Sequence, residues 1–296
     1  MKCEKKLFKT NKAYILALVL IFPLTTAHLD AAPQENPIQG PVLWQVEGAN
    51  GTTSYLLGTI HLGIPAQESL EPIVLDKFHK SLTFVVEVDP RLVSSQQFIV
   101  LGLLPKNQTL NKMLGSRKWE KLMQLIGADF PEKTFKRYRP WLAVSILLSK
   151  LVPSPGLAMD QELFGVALAK GKKLEFLEDV IKQAKILDQA ITINDLKEVI
   201  QEPGKVAQEQ HAMIEAYHAR DHKALAEAIF HDKKKREKQF EILFYNRNKN
   251  WMPQIERYIQ EGGAFIAVGA GHLLGENSLI ALFQNKGYKI SHITQP

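Results

Sequence analysis

Ile266-Ala-Val-Gly269-Ala-Gly-His272-Leu-Leu-Gly275 lies near the end of a chain of 296 residues. It repeats in kind Tyr55-Leu-Leu-Gly58-Thr-Ile-His61-Leu-Gly63, more than 200 residues upstream. Each segment is an apolar, strand-like run followed by Gly-x-x-His-Leu and a further glycine. Glycine at the carboxyl end of a strand lets the backbone turn sharply and removes a side chain that blocks close approach. The histidine that follows is then presented over the edge of a sheet. Ligands of open α/β sheets bind outside the carboxyl ends of the strands, so two such histidines on neighbouring strands converge on one crevice. The pair predicts an α/β (α+β) fold with a central mixed sheet built from both ends of the chain.

Between the two segments the periodicity changes. Val42 to Val46 and Ser54 to Leu57, separated by the turn Gly48-Ala-Asn-Gly51, suit a hairpin. A helix is expected around Ser69 to Lys80, followed by Leu82-Thr-Phe-Val-Val-Glu87-Val88 as a buried strand. From 91 to 262 apolar residues recur at helical spacing in Trp119–Ile126, Trp141–Leu151, Asp160–Ala169 and Val206–Phe230. Only a short strand, Lys173 to Leu177, interrupts this helical insertion. The chain closes as strand Ala264–Val268, glycine loop, helix Ser278–Lys286 and strand Tyr288–Ile293. Residues 41–296 are therefore expected to form one domain, preceded by a flexible lead-in at 28–40.

The third strand carries Glu87 near its end. A carboxylate among Phe84, Val85, Val86 and Val88 needs a partner, because burying a lone charge is costly. His61, His272 and Glu87 at one sheet edge make a plausible divalent-metal site, of a kind suited to zinc, manganese or cobalt. Glu87 is either a ligand or a general base holding water. Taken singly, each is an ordinary hydrogen-bonded residue; the repeated unit favours a site. Arg247 offers a two-pronged clamp for a carboxylate, the substrate's or that of Glu87, or else a surface ion pair.

Residues 1–27 hold Lys2, Lys5, Lys6, Lys9 and Lys12, one acid, Glu4, an apolar run from Ala13 to Leu24, and Thr25-Thr26-Ala27. This reads as an export signal, too short for a bilayer span. It implies a periplasmic or secreted protein without stable membrane insertion once the signal is cleaved. Removing it reduces the net charge from +6 to +2, which argues against a nucleic-acid partner. Cys3 is the single cysteine and lies within the signal, which excludes disulfide scaffolds and thiol catalysis in the mature chain. The run Lys233-Lys-Lys-Arg-Glu237 is expected on a solvated helix face.

Other motifs fall short. Gly269-x-Gly271 lacks the third glycine at dinucleotide spacing and the chain length for a nucleotide domain, and neither a phosphate-binding loop nor a Gly-x-Ser-x-Gly elbow occurs. His218 and His222, with His211 one heptad earlier, are expected on one exposed helix face, but Ala219 stands where zinc-protease helices carry glutamate.

The paired motifs and the strand-end glutamate resemble the TraB/GumN family, which includes the TIKI-type proteases. The resemblance runs from Leu43-Trp44 to the final strand and takes in Pro140-Trp141, Met159-Asp160, Leu177-Glu178, Gln183 and Arg247-Asn248. It implies His61, Glu87 and His272 as central positions, Arg247 as a supporting cation, and Asp160 and Glu178 as lesser additions. For the TIKI branch it implies metal-dependent peptide cleavage. Ala158 stands where that family more usually has glycine. The expectation is an exported metal-dependent hydrolase of peptide or amide bonds. The alternatives are a non-catalytic protein holding a peptide or small ligand such as haem, or a surface-interaction protein.

Overall fold

The computed structural model describes residues 39–61, 66–93, 96–153 and 156–294. The expected export signal and almost all of the lead-in lie outside the described residues. Six strands form one mixed sheet: β1 (Leu43–Glu47), β2 (Thr53–Thr59), β3 (Thr83–Val86), β4 (Lys173–Phe176), β5 (Ala264–Gly269) and β6 (Lys289–His292), in the order β4-β3-β5-β2-β1-β6. β4, β3, β5 and β2 are parallel, while β1 runs antiparallel to both β2 and β6. β5, from the end of the chain, lies between β3 and β2 from its beginning, as the repeated motif predicts.

Every residue of β3 is buried, and so are the first five of β5, the pattern of strands covered on both faces. On helix Pro72–Lys80, Phe78 meets Phe84 and Phe265 edge-on at 5.2 and 5.4 Å. Helix Asn246–Glu261 lies against β2 and β5 and buries Trp251, Ile255 and Ile259. Among the described residues no helix is long and apolar enough to cross a membrane.

Four expectations are corrected. The strand beginning at Leu82 is shorter: Leu82 is 74% exposed, and pairing stops at Val86, leaving Glu87 just beyond the sheet edge. The expected helix Val206–Phe230 is two helices, Pro203–His218 and His222–Phe230. Arg220 adopts a left-handed conformation (φ 59°) and pairs with Glu71, while the Asp221 side chain caps the second helix at the Ala224 amide. His218 and His222 therefore do not share a helix face. His211 and His218 are exposed, but His222 is buried, bonded to the Gly40 carbonyl and packed against Trp44 and His292. Finally, Lys233 to Arg236 form turns rather than a helix, and Arg236 turns inward to pair with Asp195 at 2.5 Å and with Glu198.

Candidate functional site

The four parallel strands deliver their carboxyl ends to one edge. Glu178 follows β4, Glu87 follows β3, His272 follows β5 and His61 follows β2. The Glu178 amide donates to the Glu87 carbonyl at 2.9 Å, extending the ladder past the last paired residues.

The two glycines of the repeated motif act by removing bulk. Gly58 lies within β2 and makes no turn, correcting the sharp-turn reading; a Cβ there would stand 2.5 Å from Val42 Cγ1 and 3.1 Å from Ala270 Cα. A Cβ on Gly269 would stand 3.1 Å from His61 Nε2 and 3.4 Å from Glu87 Oε1. Its amide instead donates to Glu87 Oε1 at 2.8 Å. Glycine thus leaves open the space in which the imidazole and the carboxylate face each other. Tyr217, on helix Pro203–His218, fixes the first motif by donating its hydroxyl to the Gly58 carbonyl at 2.8 Å.

Arg247 is the hub. Its guanidinium is buried, bonding Glu87 Oε2 at 2.5 Å, Glu178 Oε1 at 2.6 Å, the Leu243 carbonyl at 3.1 Å and His272 Nε2 at 3.1 Å. It stacks over Trp251, 4.5 Å from the ring centroid. The alternative of a surface ion pair is thereby excluded. A π-helical turn, Glu241–Tyr245, immediately precedes the helix bearing Arg247 and supplies Leu243 and Phe244 to the same pocket.

Arginine only donates, so its bond to His272 Nε2 makes that nitrogen the acceptor. The proton of the neutral ring is then on Nδ1, which donates to Asn248 Oδ1 at 2.6 Å. The Asn248 amide nitrogen in turn donates to the carbonyls of His272 and Asn277, so its orientation follows from its partners. Burial holds His272 neutral and lowers its pKa to about 3. His61 is the opposite case. Burial opposes its charge, but Asp160, with Oδ1 3.4 Å from His61 Nδ1, and Glu87 together raise it to about 10. Burial also opposes the charge of Glu87, yet Arg247 holds that carboxyl well below the usual range. Glu178 is pushed up by burial despite Arg247.

All six residues singled out from sequence fall in this cluster. Glu87 Oε1 lies 3.7 Å from His61 Nε2 and 3.8 Å from His272 Nε2. Asp160 lies in the first turn of helix Met159–Ala169, and Ala158 before it has φ −61°, so no glycine is needed there. Asn248 and Tyr217 gave no functional signal of their own. Asn248 enters the family resemblance only beside Arg247, whereas Tyr217 sits in an ordinary helical pattern.

Two ligands each 2.1 Å from a tetrahedral ion are about 3.4 Å apart. The donor separations here are somewhat wider, and no group of three or more His, Cys, Asp or Glu side chains among the described residues holds a metal-binding arrangement as it stands. The donor chemistry nevertheless fits a divalent cation. Each imidazole has an oxygen at Nδ1, from Asp160 or Asn248, with its Nε2 on the side of Glu87, the way outer partners orient metal-ligating histidines. Ligation requires His61 to lose its proton and Arg247 to leave His272 Nε2.

The fold and the edge cluster define an α/β protein with a polar cleft at the carboxyl ends of its parallel strands. Residues 42–292 match the model of the TraB/PrgY/gumN family, and the chain belongs to that family. No curated protein and no solved structure matches the chain significantly.

Proposed function

We propose that the protein is an exported metal-dependent hydrolase acting on peptide or amide bonds, with His61, His272 and Glu87 as ligands of a zinc, manganese or cobalt ion. The observation that carries this reading is the common orientation of the two histidines, each with an oxygen at Nδ1 and its Nε2 near Glu87 Oε1. A bound ion of this type supplies a water acidified toward neutral pH and a Lewis acid for the carbonyl. The chain does the rest. Asp160 and Asn248 orient the imidazoles, and the Gly269 amide and Arg247 keep Glu87 ionised. So acidic a carboxyl suits ligation better than proton abstraction, since a general base works best with a pKa near the operating pH. If His272 Nε2 is given over to the ion, the Arg247 N–H that it now accepts is released for an anionic substrate oxygen. Residues 1–27 support action in the periplasm or outside the cell, and the nearly balanced mature charge supports a peptide or small-molecule substrate over nucleic acid.

The test is metal retention after chelation and reloading with zinc, manganese or cobalt, measured beside peptide hydrolysis. Wild type is expected to keep about one ion per chain, while His61→Ala and His272→Ala lose it. Equal retention in all three removes the metal reading.

A second reading, a non-catalytic binder of a peptide or small ligand such as haem, is favoured by one observation. Arg247 already satisfies both Glu87 and His272. Glu87→Gln separates the two. An enzyme loses turnover and keeps most of its ligand affinity, whereas a binder loses affinity and has no turnover to lose.

A further inference from the structure

His61 and Glu87 line two cavities of different character. One, about 490 Å³ counting its open mouth, is walled by Met213, Ile229, Leu243 and Phe244. The other, about 520 Å³ on the same measure, presents Asp160, Gln161 and Gln183. In the first, the charged groups Glu87 and Arg247 are paired with each other at the floor, so the far wall offers only apolar contact. Ile229, Leu243 and Phe244 are buried in the core, and Met213 is partly exposed. Unbranched and flexible, Met213 is the wall residue able to adapt to what enters. In the second cavity, Asp160 Oδ1 is buried 3.4 Å from His61 Nδ1, and no other group donates to it. A carboxylate has about four lone-pair sites, so Asp160 can accept a further N–H beside that of His61.

We propose that these cavities are the two halves of one peptide subsite. The Met213–Ile229–Phe244 wall takes a bulky aliphatic or aromatic side chain, the Asp160–Gln183 side takes the adjoining backbone N–H groups, and Met213 sets the size of side chain admitted. The two halves meet at His61 and Glu87, so the bond between them lies over the candidate metal ligands. This deepens the hydrolase reading and rests on it for where the reacting bond lies. The side-chain preference itself does not need turnover.

The experiment uses the full chain labelled with 13C-methyl methionine, with the Met213 signal identified by its loss in Met213→Leu. N-acetyl-L-phenylalanine amide is expected to shift the Met213 methyl resonance saturably and to leave that of the distant Met113 in place. N-acetyl-L-alanine amide is expected to bind about ten-fold or more weakly, the discrimination typical of an apolar pocket. Asp160→Asn should weaken both ligands, and Met213→Trp, which fills the cavity, should abolish the preference for phenylalanine, read from the remaining methyl signals. An unmoved Met213 signal, equal affinity for the two amides, or a preference unchanged in Met213→Trp overturns the subsite. Binding with this preference but without peptide cleavage leaves the subsite standing and counts against the hydrolase reading alone.

Discussion

Asn248 shows how much of this site depends on one uncharged amide. Its Oδ1 takes the only proton that neutral His272 can donate, while its two N–H groups hold the carbonyls of His272 and Asn277. Asn248→Ala leaves a buried imidazole N–H without an acceptor and is expected to cost about 1–3 kcal/mol, measured by urea denaturation of metal-free protein. If His272 is a ligand, the same change should also lower metal affinity about 10- to 100-fold, the usual effect of removing an outer partner. A variant as stable and as metal-avid as wild type contradicts the assignment. Beyond the resemblance at Arg247-Asn248, nothing in the sequence pointed to this role, because it depends on meeting a residue 24 positions away. His61, Glu87 and His272 were legible because each sits at the end of a short apolar run, where local pattern places a side chain at the sheet edge.

Between elements, close approach replaces side-chain chemistry. A Cβ on Gly271 would lie 2.4 Å from Phe244 Cε1, so the turn Ala270–His272 and the π-helical segment are in direct contact. Gly271→Ala should destabilise by about 1–3 kcal/mol through overpacking. Much of that loss should return in the double variant with Phe244→Leu; additive losses would mean that the two segments are not coupled. The joint between helices Pro203–His218 and His222–Phe230 carries a pH dependence. Burial, and then the neighbouring His292, lower the pKa of His222 from 6.5. Below about pH 6.5 the unfolded chain binds a proton there that the folded chain resists, so stability falls as pH drops through and below that value. The urea midpoint of wild type should therefore decline more between pH 7 and 5 than that of His222→Gln, and parallel declines would exclude His222 as the source. That joint was not legible in the sequence. Apolar spacing runs on from Val206 to Ile229, and the reversal falls on Arg220, with neither glycine nor proline to mark it.

Across the molecule, the sheet is closed by the last part of the chain to be made. β5 is flanked on both sides by strands from the first third of the sequence, whereas β4 and β6 are at the edges. Amides of 264–269 are expected to exchange with deuterium most slowly, and those of 173–176 and 289–292 most quickly among the strands. Uniform protection across the six strands argues against that hierarchy. The topology was readable from the two Gly-x-x-His segments because strand signals are local and the parallel crossovers leave few arrangements. The opposed cavities were not, since their walls come from helices whose mutual packing no periodicity specifies. The π-helical turn Glu241–Tyr245 also sets where this chain can change length over evolutionary time. A π-turn carries one residue more than an α-turn over nearly the same rotation and rise, so removing one position within Glu241–Tyr245 restores regular winding and leaves Arg247 facing Glu87, Glu178 and His272. The same one-codon deletion placed in the regular winding between the π-turn and Arg247 would swing the guanidinium about 100° away from all three partners, which is equivalent to losing it.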